Sequence, residues 1–464
     1  MDNKLKMAKP EWAVKYLRGM NYTPDTSMDK LQELWWGWYI RDNDYYKQPY
    51  VINDNSQSYD RLSMRPASMV AEEIPSLVMN EGTILSSTDK DVSAWLERTI
   101  PDFVDEQAEF MSNVFALGSG AWVADFTGTQ GSVVTTVRRM NAWQVIPLIG
   151  DGCAFVSKVS VSGKRYDQLQ IRTLSRKTGT EVIETLLFDP KGSHRRVIEL
   201  DEVTRILDTG QTLPTYAIVK PAKYNTHDEL TPLGASLLED ICDTCRLVDE
   251  VFNQLYWQVK VSLPKTIVDE QALVRDSKTG KPIFAETMNQ LMFAPIKSGV
   301  GIDVPVTVYN PDTHIDDMVT AINNALGILG QRTGFGAGYW SFTLGQGLKT
   351  ATEVVSANSQ LMRTIRRHEH AIENSVRDLV QGAYSAECAL NGHLVTEPIP
   401  VDILWDDSVI TDDKADRDMM KDDIARGLCP KWKYLTKYQG MSEKEAKTYT
   451  GETSGVALDV ELGE

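Results

Sequence analysis

Cysteine is scarce in this chain: five among 464 residues, at positions 153, 242, 245, 388 and 429. An odd, scattered set makes no disulfide framework. Long apolar runs are missing too, none approaching the roughly 18 residues that span a bilayer. The opening residues MDNKLKMAK lack the apolar segment of a secretory signal. The expectation is a protein of a cytoplasm-like compartment with no membrane partner. Positive charge is in deficit, with 48 Lys and Arg against 65 Asp and Glu and a net charge of −17. Proteins that grip nucleic acid by its phosphates carry basic stripes, so the charge argues against a clamp of that kind. Passage of nucleic acid is not excluded, because like charge on a wall weakens adhesion. No nucleophile–base constellation and no carboxylate cluster with metal spacing stands out, so no enzymatic activity, cofactor or metal is expected.

What is present is a globular composition, 42% hydrophobic and 24% charged, which rules out a disordered chain. The length allows about two to four domains. The most informative stretch is 330–390. A glycine and aromatic run, GFGAGYWSFTLGQGL over 334–348, leads into a segment from Thr350 to Leu390 with no proline and one glycine, Gly382. Val354, Leu361, Ile365, Ile372, Val376, Leu379 and Ala383 recur mostly three or four apart, which predicts a helix with one buried stripe. Thr350 and Glu353 fit a capping box at its start. About forty helical residues span roughly 60 Å, longer than a compact core needs.

Elsewhere the texture changes several times. Trp35, Trp36, Trp38 and Tyr39 cluster near the start, and read as packing or an interface anchor more readily than as a sugar platform. Residues 61–117 read as helical: 68–74 before Pro75, then 92–98 and 104–117. Short β-favouring runs follow at 122–126, 133–137, 143–147, 155–161, 166–173, 182–188 and 196–200, separated by turn residues as in a meandering antiparallel sheet. Thr231-Pro232 reads as an N-cap and first turn, opening a helix to about Lys260. Its polar faces carry Glu239, Asp240, Asp243, Asp249 and Glu250 against Arg246, and a solvated face is their plain reading. Residues 261–311, punctuated by five prolines, read as a small insert of strands around one helix near 285–291. A helix restarts at 313–330. A strand-like 401–405, a helical 412–426, a short helix near 442–448 and an acidic tail complete the chain.

Several tempting motifs fail on spacing. Gly345-Gln-Gly-Leu-Lys-Thr350 approaches a phosphate-binding loop, but Leu348 stands where that loop needs glycine directly before Lys-Thr, and no strand precedes it. The glycines read instead as mobility, with Tyr339, Trp340 and Phe342 as bulky contact points on a moving loop. Cys242 and Cys245 have no second pair and fall in a helical pattern, as two buried small residues would. His368-Glu-His370 lacks the four-residue histidine spacing of a zinc helix and reads as polar helix surface. Arg363, Arg366 and Arg367 form a modest basic patch, suited to partner salt bridges and less to phosphate.

Four stretches together resemble the portal proteins of tailed bacteriophages, especially those of long-tailed phages of Gram-positive hosts. Residues 61–81, RLSMRPASMVAEEIPSLVMNE, are similar to the family's N-terminal helix. Ala116-Leu-Gly-Ser-Gly-Ala-Trp-Val123, with Trp143-Gln-Val-Ile-Pro147, looks like the start of its β-rich part. Thr231-Pro-Leu-Gly-Ala-Ser236, with Leu247-Val-Asp249 and Phe252, resembles the beginning of its first channel helix. Lys349-Thr-Ala-Thr-Glu-Val-Val-Ser356, continuing to His368-Glu369 and Ile372-Glu373, looks like its signature.

The resemblance implies an α+β portal fold. Its parts would be a wing over 1–230, stem helices at 231–260 and 313–330, and an α/β clip at 261–312. A tunnel loop at 331–349, a long wing helix at 350–397 and a short crown with the tail from 398 would complete it. It implies a closed ring, usually of about twelve subunits, at one capsid vertex of the virion, assembled in the host cytoplasm. Double-stranded DNA would pass through during packaging and ejection. Terminase large subunit, head–tail connector, major capsid and scaffolding proteins would be partners. Gly334, Gly338, Tyr339, Trp340, Phe342 and Gln346 would be the tunnel-loop contacts, and Glu239, Asp240, Asp243, Asp249 and Glu250 the channel-lining acids. The competing readings are another head or neck structural protein (a connector or minor capsid protein), an ATP-dependent enzyme using the Gly345–Thr350 loop, and a simple DNA-binding module.

Overall fold

A computed structural model describes residues 9–405 except 52–57, 80–82, 102–106, 130, 151, 193, 195, 263–264, 270–277, 279–292, 297–305, 310–311 and 343–350. Beyond 405 it describes 420–422, 424, 426, 430–439 and 443–450. The N-terminal part is helical. Helix α1 (Glu11–Gly19) buries Ala13 and Leu17, and α2 (Asp29–Tyr39) buries Trp35 and Trp38. The short α3 (Asp44–Lys47) starts where the Asn43 side chain accepts the Tyr46 N–H at 3.1 Å, a side-chain cap. Strands β1 (Tyr50–Val51) and β2 (Ser58–Tyr59) pair antiparallel.

Helix α4 (Pro66–Val78) begins with proline at its first turn, where the missing N–H costs nothing. It then runs through Pro75 rather than stopping before it. Interior proline forfeits a hydrogen bond and costs ~3 kcal/mol. Burial of Ala67, Val70, Ala71, Ile74, Leu77 and Val78 offsets that cost. Strand β3 (Ile84–Ser86), α5 (Lys90–Thr99), capped by Asp89, and α6 (Ala108–Leu117) follow.

The β-rich part contains two antiparallel sheets. Strands β4 (Gly120–Thr129) and β5 (Ser132–Asn141) form a long hairpin. Strands β6 (Val145–Leu148), β7 (Gly152–Val161), β8 (Lys164–Leu174), β9 (Glu181–Phe188) and β10 (Ile206–Asp208) make a five-stranded meander in sequence order. Strand β11 (Tyr216–Val219) returns to pair with β4. The run 196–200 contributes only a bridge from Ile198 to Leu187, and β10 takes the sheet edge instead. Alternation sets the faces: Ile146, Leu148, Ala154, Leu169, Ile171, Leu186 and Phe188 turn one way and receive Ala13 and Leu17 of α1. The other side meets a polar seam. Arg172, wholly buried, donates to Thr215 O at 3.1 Å and Ala124 O at 2.7 Å, and Arg138 is paired with Asp125. Desolvation by burial holds the Arg172 guanidinium below its ordinary pKa, with Asp125 and Glu181 opposing.

Helix α7 (Cys242–Val261) packs on α8 (Ile315–Thr333). Arg332, at the end of α8, donates to Thr244 at the start of α7 at 3.2 Å, so the two helices run antiparallel. Between them lies a small sheet of β12 (Lys265–Asp269), β13 (Phe293–Ile296) and β14 (Val306–Tyr309), in the order β13-β12-β14 with β13 parallel to β12. The helix expected near 285–291 lies outside the described residues. The start of α7 departs from the sequence reading by about ten residues. Residues 231–241 cannot be helical, because they are tied to the end of α6. Ser236 Oγ donates to Ala116 O at 2.6 Å, Leu237 N–H to Phe115 O at 3.1 Å, and Gly234 N–H to Ser119 Oγ at 2.9 Å.

Helix α9 (Ala351–Leu390) is the forty-residue element expected, and it lies across β11, β4, β5 and α4. Its buried stripe holds Leu361, Ile365, Ile372, Val376, Leu379, Val380 and Ala383. Gly382 is explained by a crossing: a Cβ there would stand 1.9 Å from Pro214 O. Glu387 fastens the far end, accepting from Trp95 Nε1 at 2.9 Å, Arg98 at 2.6 Å and Thr135 N–H at 2.9 Å. Strand β15 (Asp402–Leu404) pairs with β3, and α10 (Lys431–Gln439) and α11 (Glu443–Thr450) follow. Helix α10 had no counterpart in the sequence reading. The helix expected at 412–426 and the capping residue Thr350 fall largely outside the described residues.

Candidate functional site

The features singled out by sequence gather where α7 begins, α8 ends and α9 runs past. The turn after α8 is tight. Gly334 ends the helix in the left-handed region at φ +85°, and a Cβ there would lie 2.3 Å from Thr364 Oγ1 of α9. A Cβ on Gly330 would lie 2.1 Å from Gly336 O. These glycines therefore allow backbone to touch its neighbours closely. Gly345 and Gly347, which the sequence reading took as mobility, lie outside the described residues. Gly338 has open space around it, and Gln346 lies outside the described residues.

The aromatics of the loop divide. Phe335 is buried, with Trp340 and Tyr339 rings centred 4.5 and 4.7 Å from it. The Tyr339 hydroxyl donates to the Glu73 carboxylate on α4, and burial followed by that carboxylate raises its pKa. Tyr339 and Trp340 thus pin the loop to the body and are not free contact points. Phe342 is 47% exposed, with its N–H donating to Asn323 Oδ1 at 2.7 Å.

The five acids of the expected channel helix also divide. Asp240, with its side chain 66% exposed, and Asp243, also exposed, face solvent. Glu239 is mostly covered by Lys223 at 3.0 Å and by His227. Glu250 is paired with Arg61 at 2.6 Å. Asp249 is fully buried and lines no surface of the chain, a correction to the solvated-face reading. It accepts from Tyr46 Oη at 2.6 Å, Ser63 Oγ at 2.7 Å and Met64 N–H at 2.9 Å, clasping segment 61–64 and α3 to α7. Burial raises its carboxyl pKa, with those hydrogen bonds opposing. Nearby Asn253 exchanges hydrogen bonds with Leu62, donating at 2.8 Å and accepting at 2.9 Å. The sequence signal for this clasp was faint: an acid directly after Val248 and four residues after Cys245, both of them buried.

His368 is a second correction. It is buried in α9 against Phe115, with Nδ1 accepting the Ala222 N–H at 3.0 Å. Burial, helped by neighbouring Arg367, lowers its pKa to about 4. The imidazole is therefore neutral and structural. Glu369 beside it is buried too. The Cys242 thiol is pushed up to about 12 by burial, and burial holds Cys245 well above the ordinary thiol range, so both are inert small residues of α7. Trp35 and Trp38 are core, and Trp36 packs 5.9 Å from Trp143, which makes the tryptophan cluster packing. The Gly345–Thr350 run lies outside the described residues.

One recess opens here, a cavity of about 550 Å³ between the 222–224 strap, the end of α8 and the first third of α9. Arg332, Arg363 and Arg367 line it over Leu237 and Ile241. Among the described residues there is no group of three or more His, Cys, Asp or Glu that could hold a metal. Nor is any described helix long and apolar enough to cross a membrane.

Among solved structures the chain is similar to one in the neck of a native GTA particle computed with C12 symmetry, at 10% identity and TM-score 0.31, covering 83% of this chain and 88% of that one. A chain of the virion of a native gene transfer agent particle matches at 11% identity and TM-score 0.33, covering 83% and 89%. A chain in the neck of an empty GTA particle computed with C6 symmetry matches at 10% identity and TM-score 0.36, covering 92% and 95%. Scores this low leave the assignment to sequence. No curated protein matches. The sequence model of the phage portal proteins of the SPP1 Gp6-like kind matches residues 38–454, nearly the whole of the structure just described, and the chain belongs to that phage portal protein family.

Proposed function

We propose that this portal-family chain forms a closed ring at one capsid vertex and conducts double-stranded DNA during packaging and ejection. The observation that carries the reading is the element order inside the matched region. Two antiparallel helices bracket a small sheet, followed by a tight loop and a forty-residue helix. In this reading residues 1–230 are the wing, 231–260 and 313–330 the stem, 261–312 the clip, 331–349 the tunnel loop, 350–397 the bracing helix and 398–464 the crown and tail. The clip docks terminase and later the head–tail connector. Capsid and scaffolding proteins meet the wing, and assembly takes place in the host cytoplasm. The protein is structural, and terminase supplies the ATP chemistry.

A head-to-tail contact closes into a ring when its rotation divides the circle, here into about twelve. Seventeen excess charges on each copy then place roughly two hundred negative charges around the hole. Asp240 and Asp243 are the exposed acids able to repel a passing duplex, although Asp240 shares Lys223 with Glu239; Asp249 drops out of that set, and Glu239 and Glu250 are covered and paired. Phe342 is the loop side chain free to touch it. The test is packaging kinetics with Asp240→Lys/Asp243→Lys portals. Slower filling from intact rings is expected, and unchanged kinetics would remove the electrostatic role.

A further inference from the structure

Several arginines of this chain find carboxylates within it: Arg61, Arg98, Arg138 and Arg377 are each paired with an acid. The recess between the 222–224 strap, the end of α8 and α9 departs from that pattern. Among the described residues no carboxylate pairs with Arg332, Arg363 or Arg367, all of which line it. Arg332 donates to Thr244 and Arg367 to Ala222 O at 3.4 Å, which leaves most of the N–H donors on each guanidinium unused. Arg363 makes no hydrogen bond among the described residues. Asp240, an acid in the lining, is held by Lys223 at 2.8 Å.

In a chain of net charge −17, cations left without acids mark a place for an external anion. A carboxylate offers two oxygens. A phosphate offers more, on several sides, and so can take guanidinium groups arriving from two helices at once. The recess, about 550 Å³, is also larger than a lone phosphate needs and lies within the range of small-molecule sites. Tyr224 lines it too, is 71% exposed, and has neither a ring contact nor a hydrogen bond from its hydroxyl among the described residues. The strap carrying Tyr224 is fixed two residues earlier: Ala222 N–H donates to His368 Nδ1 at 3.0 Å, and Ala222 O accepts from Arg367. One short segment therefore ties an open aromatic face to the arginine cluster. Such a pairing can stack a nucleobase while its phosphate is held.

We infer that this recess binds a nucleotide, with the phosphate on Arg332, Arg363 and Arg367 and the base on Tyr224. The site is formed within one chain, so the inference stands apart from the ring reading. Its ligand is a nucleoside phosphate with an unstacked base, supplied either as a free nucleotide or by the unpaired end of a DNA strand.

The test is isothermal titration of the purified full-length chain, at low salt, with dAMP, deoxyribose 5-phosphate and inorganic phosphate. Of the three, dAMP should bind most tightly. Arg363→Glu should raise the Kd for dAMP at least roughly tenfold, the worth of one charge-assisted hydrogen bond. Tyr224→Ala should weaken dAMP at least about fivefold and leave deoxyribose 5-phosphate unchanged. Circular dichroism checks folding, and Arg363→Gln repeats the measurement should Arg363→Glu unfold. Competition separates the two sources. A 5′-phosphorylated oligodeoxyadenylate that displaces dAMP assigns the site to strand ends, and one that does not assigns it to free nucleotides. No saturable dAMP binding, equal affinity for dAMP and inorganic phosphate, dAMP binding that either folded variant leaves unchanged, or tighter binding of an oligoglutamate peptide (as an acidic-peptide site would give) overturns the inference. Each of those results leaves the ring reading standing.

Discussion

Acidification should loosen this protein at His368. Its imidazole sits buried in α9 with Nδ1 accepting the Ala222 N–H, and its pKa falls from 6.5 to about 4. The unfolded chain therefore takes up a proton near pH 6.5 while the folded chain does not. Stability is whole above that pH and declines as pH falls from 6.5 toward 4, the sign for a group that binds fewer protons when folded. At pH 5 the loss works out at about 2 kcal/mol, rising to about 3 at pH 4, using 1.36 kcal/mol per unit. The assay is urea unfolding of parent and His368→Gln at pH 7 and pH 5, at one protein concentration. Glutamine can still accept the Ala222 N–H but does not titrate, so the parent should lose about 2 kcal/mol more than the variant between those pH values. Equal losses would refute the buried neutral imidazole.

Two further outcomes follow from packing. Gly382→Ala places a methyl 1.9 Å from Pro214 O, so α9 and the 214–215 backbone must separate, and thermal unfolding should show a loss of about 3 kcal/mol. Asp249→Ala strands the hydroxyls of Tyr46 and Ser63 and the Met64 N–H. It should cost about 3 kcal/mol and expose the chain after Arg61 to trypsin, whereas unchanged melting and digestion would contradict the clasp.

The regular elements were legible because their periods are strong. The meander over 145–188 and the helix to Leu390 came from alternation and from three- and four-residue spacing. What misled was local chemistry overruled at long range. Thr231-Pro232 has every feature of a helix start, yet Ser236 and Leu237 bond to the end of α6 over a hundred residues before them, and α7 waits until Cys242. Pro75 reads as a stop, but burial on the surrounding turns carries α4 past it. The polar residues were hardest to place. Asp249 and His368 look like surface positions on their own helices, and only the partners at 46, 63, 64 and 222 reveal that they are interior. The glycines at 330 and 334 were visible as a cluster, whereas their purpose, close approach to Gly336 and Thr364, needed the fold. Arg363 and Arg367 were legible as a basic patch suited to a partner, but Arg332 joins them only because α8 ends beside α9.

Electron microscopy of the purified full-length chain tests the central claim most directly. Annular particles with a hole wide enough for a duplex are the predicted result. A chain found only as single or paired molecules across the accessible concentrations would contradict it.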